Sequence, residues 1–255
     1  MSDRRHGASR TKEALNRSIA WYLRQLSRLL SVLTEEELER LIPLLSERRF
    51  RPREVLFRAG EEPDRVYLIL RGQVKVYRIA DNGREVILDI VGRGDVVGDP
   101  SMVEDGERAA TAQALEETVC LSISWADFTH LMQHSPRLGL AMVELVAKRL
   151  SSLQRAFLSL ASKPVSARLA EFLLRRARGG EVRLGLTHQE IAHSIGTTRE
   201  TVTALLSRFV ALGVLQPAPG GFRVLDEGLL RSIADGEVHV SPRHPPLSST
   251  SPAVP

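Results

Sequence analysis

Cysteine is nearly absent: one residue, Cys120, in 255. A single thiol excludes an internal disulfide framework and any four-thiolate iron–sulfur or zinc centre, and it points to a reducing compartment, the cytoplasm. Aromatic residues make up only 5% of the chain, so aliphatic packing is expected. No apolar run approaches the ~18 residues that a membrane span needs. The start, "MSDRRHGASR", carries charge but is not followed by the apolar stretch of a secretory signal. No nucleophile–base pairing and no metal-ligand spacing stand out, so neither enzyme activity nor a metal site is expected.

What is present is a basic chain with an uneven charge distribution. The net charge is +4, but residues 1–30 carry +5, residues 31–161 carry −4 and residues 162–235 carry +3. A basic C-terminal part joined to an acidic middle makes nucleic acid a candidate partner for the former. The length favours two domains, and 43% hydrophobic residues suffice to fill their cores.

The periodicity divides the chain further. Residues 1–30 read as a basic N-terminal extension. Its first ten residues are expected to be disordered; Leu15, Ile19, Leu23, Leu26 and Leu30 then predict a helix over 11–30. Thr34 with Glu37 caps a second helix in "SVLTEEELERLIPLL". Between Arg48 and Ser124 the period drops to two, in "RVYLILRGQVKVYRI" and "REVILDI", with turns at Gly60, Gly72, "DNG", "GRGD" and "EDG". Short strands without intervening helices predict an antiparallel barrel or sandwich within a domain spanning 31–135.

From 136 to 161 the helical period returns. Val143, Val146, Leu150, Leu153, Phe157 and Leu160 step by alternating threes and fours, the spacing of a coiled-coil seam on a rod of roughly 36 Å. That spacing predicts a homodimer seam, the alternative being a long helix packed on its own domain. Pro164 breaks the helix and opens a domain over 162–235, expected as helix, strand pair, two short helices and a hairpin. Residues 236–255, rich in proline and serine, read as a disordered tail.

The densest pattern is "THQEIAHSIGTTRETVTALLSRF", residues 187–209. Thr187 and Glu190 make one capping box, and Thr197 and Glu200 are expected to make a second. Gly196 between them can take the positive φ of a tight interhelical turn. Two short helices around such a turn in a basic domain are a helix-turn-helix. The exposed first turn of the second helix offers Thr198, Arg199, Glu200 and Thr203 to base edges in a major groove. Arg199 can donate two hydrogen bonds to guanine, and Glu200 can accept from cytosine. Glu200 as a cap alone is the plainer reading of that residue.

These residues resemble the helix-turn-helix of the cyclic-AMP receptor protein / fumarate–nitrate regulator family of bacterial transcription regulators, in which "T-x-Q-E-I-A…G…S/T-R-E-T-V-x-R" recurs. "EVLFRAGEEPDRVYLILRGQVKVYR", "GRGDVVGD" and "ERAATAQA" look like that family's cyclic-nucleotide-binding β-roll. The resemblance covers roughly residues 31–232. It implies an α+β chain: an antiparallel β-roll, a long dimerisation helix and a C-terminal winged helix-turn-helix. It implies further a cytoplasmic homodimer on a palindromic promoter site in double-stranded DNA, with RNA polymerase as a partner. Arg199 and Glu200 would read bases, Thr187 and Gln189 would hold phosphates, and Arg223 in the wing would meet the DNA backbone. Ala204 departs from the pattern where relatives carry a second arginine, so one base pair of the half-site should differ.

In the family's cyclic-nucleotide pockets a G-E pair holds ribose, an R-S/T pair holds the phosphate, and the long helix meets the base. The matching positions are Gly98 and Asp99, Arg108 and Ala109, and Leu153 and Gln154. Asp99 is one methylene short, Ala109 lacks the hydroxyl but keeps its backbone N–H, and Leu153 replaces a polar contact. No cofactor is required by this reading. The effector is cyclic AMP or another cyclic nucleotide, a different small molecule, or none, in which case Arg108 would pair with Asp105 or Glu107. Haem on His130, His134 or Cys120, and a regulatory subunit acting on a protein partner, are weaker alternatives.

Overall fold

The computed structural model describes residues 16–183 and 185–242. The disorder expected of residues 1–10 and of the tail beyond 242 lies outside the described residues. The chain forms two compact units that divide at Leu153/Gln154.

The first unit opens with helix α1 (16–26), which does not run on to Leu30. Ser27 takes extended backbone angles and a separate short turn, α2 (Arg28–Ser31), follows. Thr34 caps α3 (Glu35–Leu41) in the expected capping box with Glu37. Hydrogen bonds from Ser135, above all, and from the Thr34 backbone hold the Glu37 carboxyl below its usual pKa.

Ten strands then follow: β1 (Ser46–Phe50), β2 (Val55–Phe57), β3 (Arg65–Arg71), β4 (Val74–Ile79), β5 (Glu85–Val91), β6 (Val96–Val97), β7 (Val103–Glu104), β8 (Glu107–Arg108), β9 (Thr111–Ala114) and β10 (Thr118–Ser124). They form two four-stranded antiparallel sheets, ordered β1-β10-β3-β6 and β2-β9-β4-β5, with β7-β8 as a separate hairpin.

The period of two is visible in β3. Tyr67 and Ile69 point into the core between the sheets with Phe57, Val76, Val97 and Cys120. Val66 and Leu68 point the other way, onto Leu23, Leu29, Leu30, Leu33 and Leu38. A strand buried on both faces reads as a continuous apolar run, which is why "VYLIL" does not alternate. Residues 16–30, set apart in sequence as part of an extension, therefore supply part of this unit's core.

Helix α4 (Trp125–His134) was not expected; Ser124 caps it through Asp127 N–H, and Phe128 is its one fully buried side chain. With so narrow an apolar stripe it had little helical signature. The long α5 (Pro136–Ser162) was expected and is present, with Leu138 and Met142 in the first unit's core.

The second unit contains α6 (Val165–Arg176), β11 (Ala177–Arg178), β12 (Glu181–Arg183), α7 (His188–Ile195), α8 (Arg199–Ala211), β13 (Leu215–Ala218), β14 (Gly221–Val224) and α9 (Glu227–Asp235). Its sheet runs β11-β12-β14-β13 and flanks the helices, the layout of a winged helix-turn-helix. The core gathers Leu169, Leu173, Ile191, Val202, Leu205, Phe209, Leu230 and Ile233. Helix α9 was missed in sequence; Asp226 caps it. Gly236, left-handed at φ 83°, then turns the chain, and the N–H groups of Glu237 and Val238 donate back to Ser232 O. That turn lays Val240 in the core, so the stretch expected to be disordered from 236 begins with packed residues. Among the described residues no helix is long and apolar enough to cross a membrane.

Candidate effector pocket and nucleic-acid interface

In the β-roll, Arg108 and Asp99 are both buried, at 2% and 0% exposure. Arg108 does not pair with Asp105 or Glu107. Its Nη1 donates to Gly98 O at 2.7 Å, its Nη2 donates to Arg65 O at 2.6 Å, and the outer Asp64 carboxylate stands 3.5 Å away. The guanidinium carbon lies 4.3 Å over the Phe57 ring and 5.7 Å from that of Trp125. Burial pulls the Arg108 pKa down, and Asp64 acts against it. Gly98, at φ +78°, makes this approach feasible: a Cβ there would sit 3.0 Å from Phe57 and 3.2 Å from Arg108 Nη1.

Asp99 is held by a residue that sequence reading missed. Arg149 on α5 places Nη1 2.9 and 2.8 Å from the two carboxylate oxygens, and its Nη2 donates to Val96 O at 2.8 Å. The available signal was the carboxylate itself, set in the apolar "GDVVGD", because a buried charge needs a partner. The Ala109 N–H, counted on for a phosphate, donates to Met102 O at 2.9 Å. Thr111 accepts from Ala59 N–H at 3.1 Å. Two donors remain poorly used. Arg108 Nε is buried with no hydrogen-bond partner among the described residues, and the Gly98 N–H faces only the Met102 sulfur at 3.3 Å. Leu153 and Gln154 lie exposed on α5.

Of the alternative haem ligands, Cys120 is fully buried between the sheets, and burial pushes its thiol up to about 12. His130 and His134 are exposed on α4 with their rings 4.2 Å apart. On α5, every position of the expected seam is exposed, from Val143 and Val146 through Leu150 and Leu153 to Phe157, at 70%, and Leu160.

In the second unit, Thr187 and Glu190 form the expected capping box at the start of α7. Gly196 ends α7 in the left-handed region at φ 65°, and a Cβ there would strike Leu160. The second box is a correction. The Thr197 N–H donates to Ala192 O at 3.0 Å, which makes Thr197 part of the α7 terminus. Thr198 caps α8 instead, accepting from Thr201 N–H at 3.3 Å. Glu200 is therefore released from capping. Arg199 and Glu200 begin α8 exposed, with no side-chain partner among the described residues.

The neighbouring polar residues are engaged with one another. Gln189 Nε2 stands 2.7 Å from His193 Nε2, and Thr203 Oγ1 is 2.9 Å from His188 Nδ1. Arg223 on β14 is exposed, 3.8 Å from Glu181 on β12. At the junction of α5 and α6, Lys163 Nζ donates to Glu171 Oε1 and to Ala234 O, both at 2.8 Å, and Ser159 donates to Glu171 Oε2 at 2.7 Å.

Known proteins share both units. The sequence model of a cyclic nucleotide-binding domain matches residues 47–135, and that of a Crp-like helix-turn-helix domain matches residues 167–233. The cyclic AMP receptor protein of Thermus thermophilus is 30% identical over 208 residues, which is 80% of this chain and 95% of that protein. The fumarate and nitrate reduction regulatory protein of Salmonella typhimurium is 32% identical over 192 residues, 72% of this chain and 76% of its own. Among solved structures, FixK2 from Bradyrhizobium japonicum has the same fold, with a TM-score of 0.68 at 23% identity over 74% of this chain and 96% of FixK2.

Proposed function

This chain belongs to the cyclic-AMP receptor protein / fumarate–nitrate regulator family of transcription regulators, and from that premise we propose that it acts as a homodimer on a palindromic DNA site under the control of a cyclic nucleotide. The exposed apolar stripe of α5 carries the dimer. Six large apolar side chains at seam spacing would leave water together when a second copy packs against them.

Such a pair would present two copies of α8 to successive major grooves, about 34 Å apart. Arg199 and Glu200 read base edges there, with Thr198 and Thr203 beside them. Thr187 and Gln189 at the start of α7 and Arg223 in the wing meet phosphates. Promoter-bound regulators of this kind act on RNA polymerase, the partner proposed here. These partners place the protein in the cytoplasm.

The residues of the β-roll fit a cyclic phosphate. Arg108 would hold it, using the Nε now without a partner and exchanging its bonds to the Gly98 and Arg65 carbonyls. Gly98 and Asp99 lie next to that position for a ribose hydroxyl, and Ala109 lines it; Leu153 and Gln154 on α5 would meet the base. Because Asp99 is also the anchor of Arg149, occupancy of the pocket bears on α5 and so on the dimer seam, a shift of population between two arrangements.

A second reading has its own support. Both terminal nitrogens of Arg108 and the carboxylate of Asp99 are already engaged by protein groups, which suits a regulator that needs no effector. Calorimetry with cyclic AMP and cyclic GMP, paired with gel shifts on genomic fragments with and without nucleotide, separates the two. Heat of binding together with tighter DNA binding supports nucleotide control. Sequence-selective DNA binding without either supports the second reading.

A further inference from the structure

We propose that Thr203 reads a thymine through its γ-methyl group, and that His188, on the preceding helix, is the positioning residue that turns the methyl outward. The inference rests on the DNA-binding reading above and adds the base that the middle of α8 selects.

Thr203 lies one turn after Arg199 on the exposed face of α8. Its Oγ1 stands 2.9 Å from the Arg199 carbonyl, and a carbonyl only accepts, so the single hydroxyl hydrogen is donated there. His188 Nδ1 stands 2.9 Å from the same Oγ1. With the hydroxyl hydrogen already used, Nδ1 must carry a hydrogen and donate it. The hydroxyl is thus turned to its own helix backbone on one side and to His188 on the other.

What remains uncommitted is the γ-methyl. Threonine in a helix divides between two rotamers, and a bond to a neighbouring helix selects one. Ala204, half-exposed at the next position, adds a second methyl and no hydrogen-bonding group. Methyl groups recognise the C5-methyl of thymine in the major groove, whereas a hydroxyl would accept several bases. The middle of the half-site should therefore carry a thymine, read by contact and not by hydrogen bonds.

The test removes that one methyl. A high-affinity site is selected from random duplexes, and each thymine is replaced in turn by deoxyuridine, with affinity followed by fluorescence anisotropy. One thymine per half-site should lose about fourfold on replacement, the factor for one buried methyl. Thr203→Val should keep that thymine-to-uracil ratio and Thr203→Ser should abolish it. His188→Ala should lower the ratio while leaving the melting temperature and random-duplex affinity unchanged, and His188→Asn, which restores a donor, should recover part of it. A selected site in which no thymine responds to deoxyuridine, or a Thr203→Ser variant with an unchanged ratio, overturns the proposal. Failure to select any sequence overturns the DNA-binding reading itself, a different result from a site that is bound but indifferent to uracil.

Discussion

Arg149 and Asp99, fifty positions apart in the chain, form an ion pair in which one guanidinium nitrogen touches both oxygens of a carboxylate that has no exposed surface. A buried charge is costly unless it is paired with an opposite one. Arg149→Leu should cost about 3–5 kcal/mol in denaturant unfolding of the first unit, since it removes the positive charge paired with the buried Asp99 carboxylate. Asp99→Asn with Arg149→Leu should recover most of that loss. A single variant of near wild-type stability would show that the pair contributes little.

Glu171 gives a pH prediction with a definite sign. Burial alone would raise its pKa, but the hydrogen bonds from Lys163 and Ser159 outweigh it and hold the carboxyl below its usual value. A depressed acid contributes stability above its unfolded pKa, near 4.3, and loses it as pH falls through the lower folded pKa. Glu171→Gln should thus destabilise the second unit by about 1–2 kcal/mol at neutral pH and by progressively less under acid. Thermal melts between pH 7 and 3 read this directly; a deficit constant across that range contradicts it.

The cap of α8 separates two roles once assigned to one residue. Thr198→Ala should lower stability by about 1 kcal/mol, because Thr198 satisfies the Thr201 N–H. Glu200→Gln should leave the melting temperature almost unmoved while relaxing preference at one base pair. A large fall in melting temperature for Glu200→Gln would restore its capping role.

Arg199→Ala should weaken binding to a selected site by about 1–3 kcal/mol and change random-duplex binding little. Equal losses on both duplexes in a gel shift would make Arg199 a phosphate contact only.

Leu153 is 51% exposed within one chain, so a charge there does not disturb a monomer. Leu153→Glu should leave the circular dichroism spectrum unchanged, abolish the dimer in sedimentation and remove binding to palindromic sites. A variant that sediments as a dimer would move the seam elsewhere.

The features legible in the chain alone are those whose causes lie within a few residues. Thr34 with Glu37 and Thr187 with Glu190 satisfy helix N–H groups three positions away. The α5 stripe and the paired strands follow from period alone, and Gly196 from the conformation that its turn demands. The Thr197 box failed by one residue because the α7 terminus had already claimed that N–H. Helix α4 escaped notice because only Phe128 of its ten residues is fully buried; α9 buries Leu230, Ile233 and Ala234 behind its Asp226 cap, a local pattern as legible as that of α7.

Everything decided by distant partners needed the tertiary structure. Arg108 turns inward because the carbonyls of Gly98 and Arg65 converge on it, from ten and 43 positions away. Arg149 finds Asp99 across 50 positions, and Lys163 finds Ala234 across 71. His188 reaches Thr203 only because Gly196 folds one helix back onto the next. A cap is specified by local backbone hydrogen bonds, but the direction of a buried charge is set by whichever polar groups the packed chain brings within about 3 Å.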